Sequence, residues 1–254
     1  ASLQTELNLL RGMAHPNIVT YLGHEVHPSG TLHPERIYIY LEYLGGGSIK
    51  QQLTDFGSFA DLLVLKYCKQ LQKLLKNKPV SFEVFADNPK EMLKQAYKIN
   101  KWGKNVYVKI PVVNSKGFFM GSVIRELSSK GIKLNITAVY TYEQTVKIFK
   151  CLNKKTKSII SIFAGRMADK GKDPLPIFKR SIALTKKYKN IEILWASTRE
   201  AYNFIQAKQL RCNIITMPPK VINQISSFGK SYKELTLDTV KGFLIDSKKS
   251  KFKI

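Results

Sequence analysis

The chain has 254 residues, 44% of them hydrophobic, and a formal net charge of +24. That is a globular composition, long enough for one large domain or two modest ones. It excludes a membrane-spanning protein, because no apolar run is long enough to cross a bilayer, and a disulfide-stapled secreted domain, because Cys68, Cys151 and Cys212 are three scattered cysteines. They read as free thiols without metal-ligand spacing, the first residues lack the regions of a signal peptide, and the Ala-Ser start reads as an internal fragment. A cytoplasmic protein is expected.

Charge is unevenly placed. Residues 1–72 carry five Lys or Arg and six Asp or Glu, a net of −1, which leaves +25 for residues 73–254. All four histidines lie in the first 33 residues. Two segments of different origin joined near residue 72 are expected. The lysines of the second segment are spread over several helices without aromatic interleaving, which reads as a solvated surface with no specific nucleic-acid partner.

In the first segment, Leu3, Leu7 and Leu10 mark one face of a helix that carries Glu6. Two strand-like runs follow, Ile18 to Val26 and Ile37 to Leu44, and the short His/Pro/Gly-rich link between them predicts an antiparallel pair. A Gly45-Gly46-Gly47-Ser48 turn then opens another helix. The order of Glu6, His15-Pro16-Asn17-Ile18-Val19, Tyr38-Ile39-Tyr40-Leu41-Glu42-Tyr43 and Gly-Gly-Ser resembles a protein kinase of the class that phosphorylates MAP kinase kinases: its third helix, hinge and start of the large lobe. That resemblance implies a small α+β lobe fragment without chemistry. Phosphoryl transfer needs a phosphate-covering loop, a strand lysine and a catalytic loop, all absent from the sequence, and Asp55-Phe56-Gly57 stands in the wrong context to be the metal-binding triplet.

From Lys73 onward, strands and amphipathic helices alternate. Strands are predicted at Pro79 to Ala86, Val106 to Val113, Ile132 to Thr141, Ser158 to Arg166, Ile191 to Thr198 and Asn213 to Met217, and helices at Pro89 to Trp102 and Lys116 to Lys130 among others. Six strand-helix units in a row predict a parallel sheet, either doubly wound or most of an eightfold barrel. Parity favours the barrel. Glu83 lies between Phe82 and Val84; Asn135 and Thr137 oppose Leu134, Ile136 and Ala138; Ser161 and Phe163 oppose Ile160, Ile162 and Ala164; Ser197 and Arg199 oppose Ala196 and Thr198. Polar residues repeatedly on one face suit a barrel interior that rises to a site at the carboxyl ends. Lys109, between Val108 and Ile110, is either a Schiff-base nucleophile activated by low dielectric or a lysine snorkelling from a strand end.

The blocks Ser81-Phe82-Glu83-Val84, Val108-Lys109-Ile110-Pro111, Leu134-Asn135-Ile136-Thr137-Ala138, Ser161-Ile162-Phe163-Ala164-Gly165-Arg166, Ala196-Ser197-Thr198-Arg199 and Ile214-Ile215-Thr216-Met217-Pro218 resemble transaldolase, in order and at family spacing, over about residues 73–254. The resemblance implies a class I aldolase-type (β/α)8 TIM barrel that transfers a dihydroxyacetone unit between sugar phosphates in the pentose phosphate pathway, without metal or organic cofactor. It implies Lys109 as the Schiff-base residue, Glu83 and Thr137 as the proton-handling and water-positioning pair, and Asn135, Ser161 and Ser197 as substrate contacts. Arg166 and Arg199 would hold the phosphate, and Phe163 would wall the site. Singly, each residue also has a plain structural reading: Glu83 paired with Lys109, Arg166 capping Asp169, Asn135 and Ser161 satisfying backbone groups.

The family's barrel begins with two further strands, one bearing a catalytic aspartate, that have no counterpart in residues 1–72. The expected fold is therefore an incomplete barrel of six units, with impaired turnover and two open edges that invite self-association. The competing functions are a kinase-derived module and a non-functional fusion artefact.

Overall fold

The computed structural model describes residues 11, 20–27, 36–42, 66, 70, 75 and 78–250. The chain divides into two compact units, Ala1–Val64 and Leu65–Ile254.

In the first unit, β1 (Tyr21–His27) pairs antiparallel with β2 (Arg36–Leu41), as the short link between them predicts. Gly23 stands opposite Tyr40 and Val26 opposite Ile37, with a bulge between Tyr21 and Gly23. Glu42 ties the open end by accepting from the Thr20 backbone N–H at 3.1 Å and the Thr20 hydroxyl at 2.8 Å. The two strands form a sheet of their own. Of the kinase-like lobe expected here, the described residues show this two-stranded sheet alone; the helix bearing Glu6, the Gly45–Ser48 turn and Asp55-Phe56-Gly57 lie outside them.

In the second unit, six parallel strands lie in sequential order: β3 (Val80–Glu83), β4 (Val106–Pro111), β5 (Leu134–Val139), β6 (Ser158–Phe163), β7 (Ile191–Ala196) and β8 (Ile214–Ile215). The connections are α1 (Pro89–Asn100), α2 (Gly121–Ser129), α3 (Tyr142–Cys151), α4 (Ala164–Ala168) with α5 (Leu175–Thr185), and α6 (Tyr202–Gln209); α7 (Pro219–Ile225) and α8 (Tyr232–Ser250) follow β8. The sheet curls into a half-barrel, in keeping with the incomplete barrel expected. No described helix is long and apolar enough to cross a membrane.

Local chemistry fixes the ends of these elements. Asn88 caps α1 by accepting from Glu91 N–H at 2.9 Å, with Pro89 at the first helical position, and Thr141 and Gln144 form a reciprocal capping box on α3. The α2 helix starts five residues later than its periodicity predicts. The Asn114 side chain accepts from Lys116 and Phe118 N–H and Gly117 takes a φ of +80°, so a turn consumes the first part of that stretch. Strand β6 stops at Phe163 rather than running to Arg166, because α4 begins at the next residue.

The core lies between the outer face of the sheet and the helices. Val108, Ile110, Ile136, Ile160, Ile193 and Trp195 are fully buried there. Trp195 stacks on Phe178 of α5 with ring centroids 4.3 Å apart. Period-two alternation therefore sends every other residue of each strand to the concave face, where the site forms.

One backbone contact joins two ends of that site. A Cβ on Gly165 would sit 1.7 Å from the Ser197 carbonyl oxygen, so α4 packs directly on the turn after β7, where Ser197 has a φ of +64°. Neither partner is a flexible side-chain tip. Gly165→Ala is expected to cost about 3 kcal/mol, read as a lower urea midpoint. Gly242→Ala, on α8 with nothing within 4 Å of the added carbon, should leave the midpoint unchanged or raise it.

Candidate active site

Strand register builds the concave wall. Glu83 pairs with Lys109, Lys109 with Asn135 and Pro111 with Thr137 across β3, β4 and β5, so four side chains predicted to share a face do so. Below them, Tyr107, Ile159, Leu194 and Ala196 form an apolar floor, with Phe163 and Ile214 packed against it. A cavity of about 930 Å³ opens above this floor.

Lys109 Nζ lies 3.2 Å from Glu83 Oε2, with the two side chains 29% and 42% exposed. This corrects the expected setting of the lysine. Val108 and Ile110 face the helices, while Lys109 faces the cavity, so its immediate neighbour is a carboxylate and not an apolar sheath. The plain structural pairing of Glu83 with Lys109 and the catalytic reading thus describe one geometry.

Beside the lysine runs a buried polar chain. The Ser161 hydroxyl donates to Asn135 Oδ1 at 2.7 Å, and Asn135 Nδ2 donates to Ser81 Oγ at 3.0 Å. Asn135 and Ser161 are therefore satisfied by side chains, not by strand-end backbone. Thr137 is 3% exposed and lines the cavity, and its Oγ1 has no hydrogen-bond partner. An unpaired buried hydroxyl costs stability unless something occupies the space before it.

The cationic end comes from two other elements. Arg166, on α4, stands 5.4 Å from the Phe163 ring centroid, and Phe163 meets Tyr140 at 5.9 Å. Arg199 follows β7. Its Nε donates to both Asp169 oxygens at 3.2 and 3.0 Å and its Nη2 to Oδ2 at 2.7 Å. It is thus Arg199, not Arg166, that holds Asp169. The hydrogen bonds from Arg199 keep the Asp169 carboxyl below the usual range, with the charges of Arg199, Lys170 and Arg166 acting in the same direction. Asn203 Oδ1 anchors the Arg199 backbone N–H at 3.1 Å, and the Gly165–Ser197 approach fixes the spacing of the two arginine-bearing segments.

Eight of the nine residues singled out from the sequence line the cavity, and Glu83 joins them through its ion pair with Lys109. Parity alone fails at more than one place: Val80 and Ser81 are adjacent and both line the cavity, and Ala138, with a φ of +59°, breaks the alternation near the end of β5. Ala196 and Ser197 both line the cavity although adjacent, because the positive φ of Ser197 breaks the alternation. Ser81 and Glu192 also line it and were not singled out, although both sit on the concave parity of their strands. Buried Tyr107 has its phenol pushed up, first by burial and then by the negative charge of Glu192. Among the described residues no three His, Cys, Asp or Glu converge to hold a metal ion.

The amine, adjacent carboxylate, orphan hydroxyl and pair of guanidinium groups suit covalent chemistry on a phosphorylated carbonyl compound. Known sequences point the same way. A family model for transaldolase/fructose-6-phosphate aldolase matches residues 45–254. The chain is 34% identical over 177 residues to a probable transaldolase of Dehalococcoides mccartyi, covering 69% of this chain and 74% of that protein. It is 31% identical over 148 residues to one of a Thermoanaerobacter species, covering 58% of this chain and 65% of that protein. A third, from Herpetosiphon aurantiacus, is 28% identical over 169 residues, covering 66% and 71%. The match begins at residue 45, inside the stretch 1–72 for which a different origin is expected. From that residue to its last, the chain belongs to the transaldolase/fructose-6-phosphate aldolase family.

Proposed function

We propose that the second unit forms a Schiff base with a ketose phosphate and transfers a dihydroxyacetone unit to an aldose phosphate, with weak turnover. The observation that carries this reading is the Lys109–Glu83 pair on the same wall as Thr137, Asn135 and Ser161, with Arg166 and Arg199 on the same cavity.

Glu83 takes a proton from the Lys109 ammonium, and the freed amine adds to the substrate C2 carbonyl. Loss of water, for which Glu83 returns the proton, leaves an iminium ion. That cation is the electron sink: when the C4 hydroxyl gives up its proton to solvent water in the open cavity and the C3–C4 bond breaks, an aldehyde departs and the electron pair rests as an enamine. Addition of the enamine to an acceptor aldehyde and hydrolysis by a water held at Thr137 restore the lysine. Asn135 and Ser161 hold the remaining hydroxyls, Ser197 closes the wall near the arginines, and Phe163 shields the iminium from bulk water. The two arginines neutralise the phosphate.

Weak turnover is proposed because the described residues supply six barrel strands and no aspartate on the cavity wall to take the C4 proton, while β1 and β2 run antiparallel in a separate sheet. An open arc also loses preorganisation. We read the kinase-like stretch as an appendage without phosphoryl-transfer chemistry.

Borohydride reduction with fructose 6-phosphate should give a stable covalent adduct that Lys109→Ala abolishes. Transfer to an aldose phosphate should run more than tenfold below an intact family member, a deficit of at least about 1.4 kcal/mol in the barrier. Absence of the adduct would refute the lysine chemistry; turnover within tenfold would refute only the impairment.

The Asp169–Arg199 pair generates a second expectation. By engaging Nε and Nη2, Asp169 leaves Nη1 of Arg199 for a phosphate. Asp169→Ala should raise the half-saturating fructose 6-phosphate concentration for trapping about tenfold, and leave trapping of unphosphorylated dihydroxyacetone unchanged. Tighter capture of the phosphate ester would mean that Asp169 competes with the ligand. The folded carboxyl is depressed, so the pair is fully formed above the ordinary aspartate value of about 4 and is lost only as pH falls below it. Phosphate selectivity should therefore stay flat from pH 6 to 8 as far as this pair sets it.

A further inference from the structure

The two rims of the half-barrel differ in charge. Loops entering the strands, residues 101–105, 130–133, 152–157, 186–190 and 210–213, hold eleven Lys or Arg and no Asp or Glu. Loops on the carboxyl side, 84–88, 112–120, 140–141, 169–174, 197–201 and 216–218, hold four of each. From sequence alone the lysines read as scattered over helices; the fold collects them at one end of the strands, opposite the cavity that holds Lys109.

Helix polarity accounts for part of this. Each entering loop follows a helix C-terminus, where a cation is favoured by about 0.3–1 kcal/mol. That effect is limited to the last turn and explains one cation per helix, not three in each of two loops. One lysine is offset, since Lys130 is paired with Glu126 at 3.3 Å. Lys104, Lys157 and Lys189, next to the starts of β4, β6 and β7, are exposed. The rim is also concave in two places, a depression of about 330 Å³ lined by Lys101, Lys104 and Lys133 and another of about 530 Å³ lined by Lys179, Lys186, Lys189 and Arg211, with Glu192 as its one carboxylate.

We propose that this amino-terminal rim docks the phosphate backbone of a single-stranded nucleic acid, independently of its sequence. Strand spacing of about 4.8 Å places the five loops on an arc of about 20 Å, which presents cations to several consecutive phosphates. A phosphate backbone fits better than a lipid surface. Membrane-docking patches pair their cations with inserting apolar side chains, and Tyr188, 37% exposed, is the one exposed large hydrophobic residue in these loops. Cations without a row of exposed aromatic rings give charge-driven binding with little base readout.

Fluorescence anisotropy of the full chain with a labelled twelve-residue oligouridylate tests this. Wild type should bind, with log Kd rising against log salt with a slope near 3, as expected for about four neutralised phosphates. Changing Lys104, Lys157 and Lys189 together to Glu should weaken binding more than tenfold. The same charge change at Lys116, Lys170 and Lys172 on the opposite rim should alter it less than threefold. A Lys104→Gln, Lys157→Gln, Lys189→Gln set, with circular dichroism and Lys109 trapping as checks of the fold, should show an intermediate loss. Equal losses from both rims would reduce the effect to net charge and overturn the proposal. So would no binding by wild type, or tighter binding to phosphatidylserine vesicles at the same salt.

Discussion

The in-register parallel pairing of Glu83 with Lys109, and of Lys109 with Asn135, is the constraint on which the rest of the second unit depends. With a side-chain period of two, a slip of one residue in β4 would turn Lys109 into the helix layer and put Val108 and Ile110 into the cavity. Both of those residues are fully buried, and an unpaired ammonium in their place would face a desolvation cost that no nearby carboxylate offsets. The hydrophobic layer that drives folding thus also sets the site. It fixes the lysine toward the carboxylate and keeps the Ser161–Asn135–Ser81 chain intact beside it.

The arginine end obeys a different constraint. It lies on turns rather than strands, and what holds it is the close approach of Gly165 to the Ser197 carbonyl together with the Asp169 and Asn203 contacts of Arg199. Strand pairing positions the Lys109 amine, and tight backbone packing positions the two guanidinium groups. The division suits a phosphorylated ligand that spans both. On the other side of the same sheet the entering loops carry cations without acids, so the two ends of one set of strands present different chemistry.

Much of this was legible in the sequence because β-branched strands with polar alternation report both the sheet and its facing. Lys109, Asn135, Thr137, Ser161 and Phe163 fell on the predicted side for that reason. Period two carries no information where the backbone leaves it, so Ser197, at φ +64°, defeats a parity argument. A turn organised by the Asn114 side chain likewise shortens α2. Partner choice was also hidden: Asp169 is three residues from Arg166 in sequence, yet Arg199, thirty residues away, reaches it. The apolar chain neighbours of Lys109, Val108 and Ile110, do not report its setting, because the residue beside its amine, Glu83, lies across the strand. Of residues 1–72, expected to be a kinase fragment, only 11, 20–27, 36–42, 66 and 70 are among the described residues, and the sheet they form is the antiparallel pair.

The central claim is that one wall, built by strand register, puts an amine-reactive carbonyl on Lys109 while the arginine turns hold the phosphate. A crystal structure of the borohydride-reduced adduct with fructose 6-phosphate addresses it most directly. The account predicts a covalent bond from Lys109 Nζ to C2 of the sugar, with the phosphate between Arg166 and Arg199. Reduction onto a different lysine, or a phosphate seated away from both arginines, would contradict it.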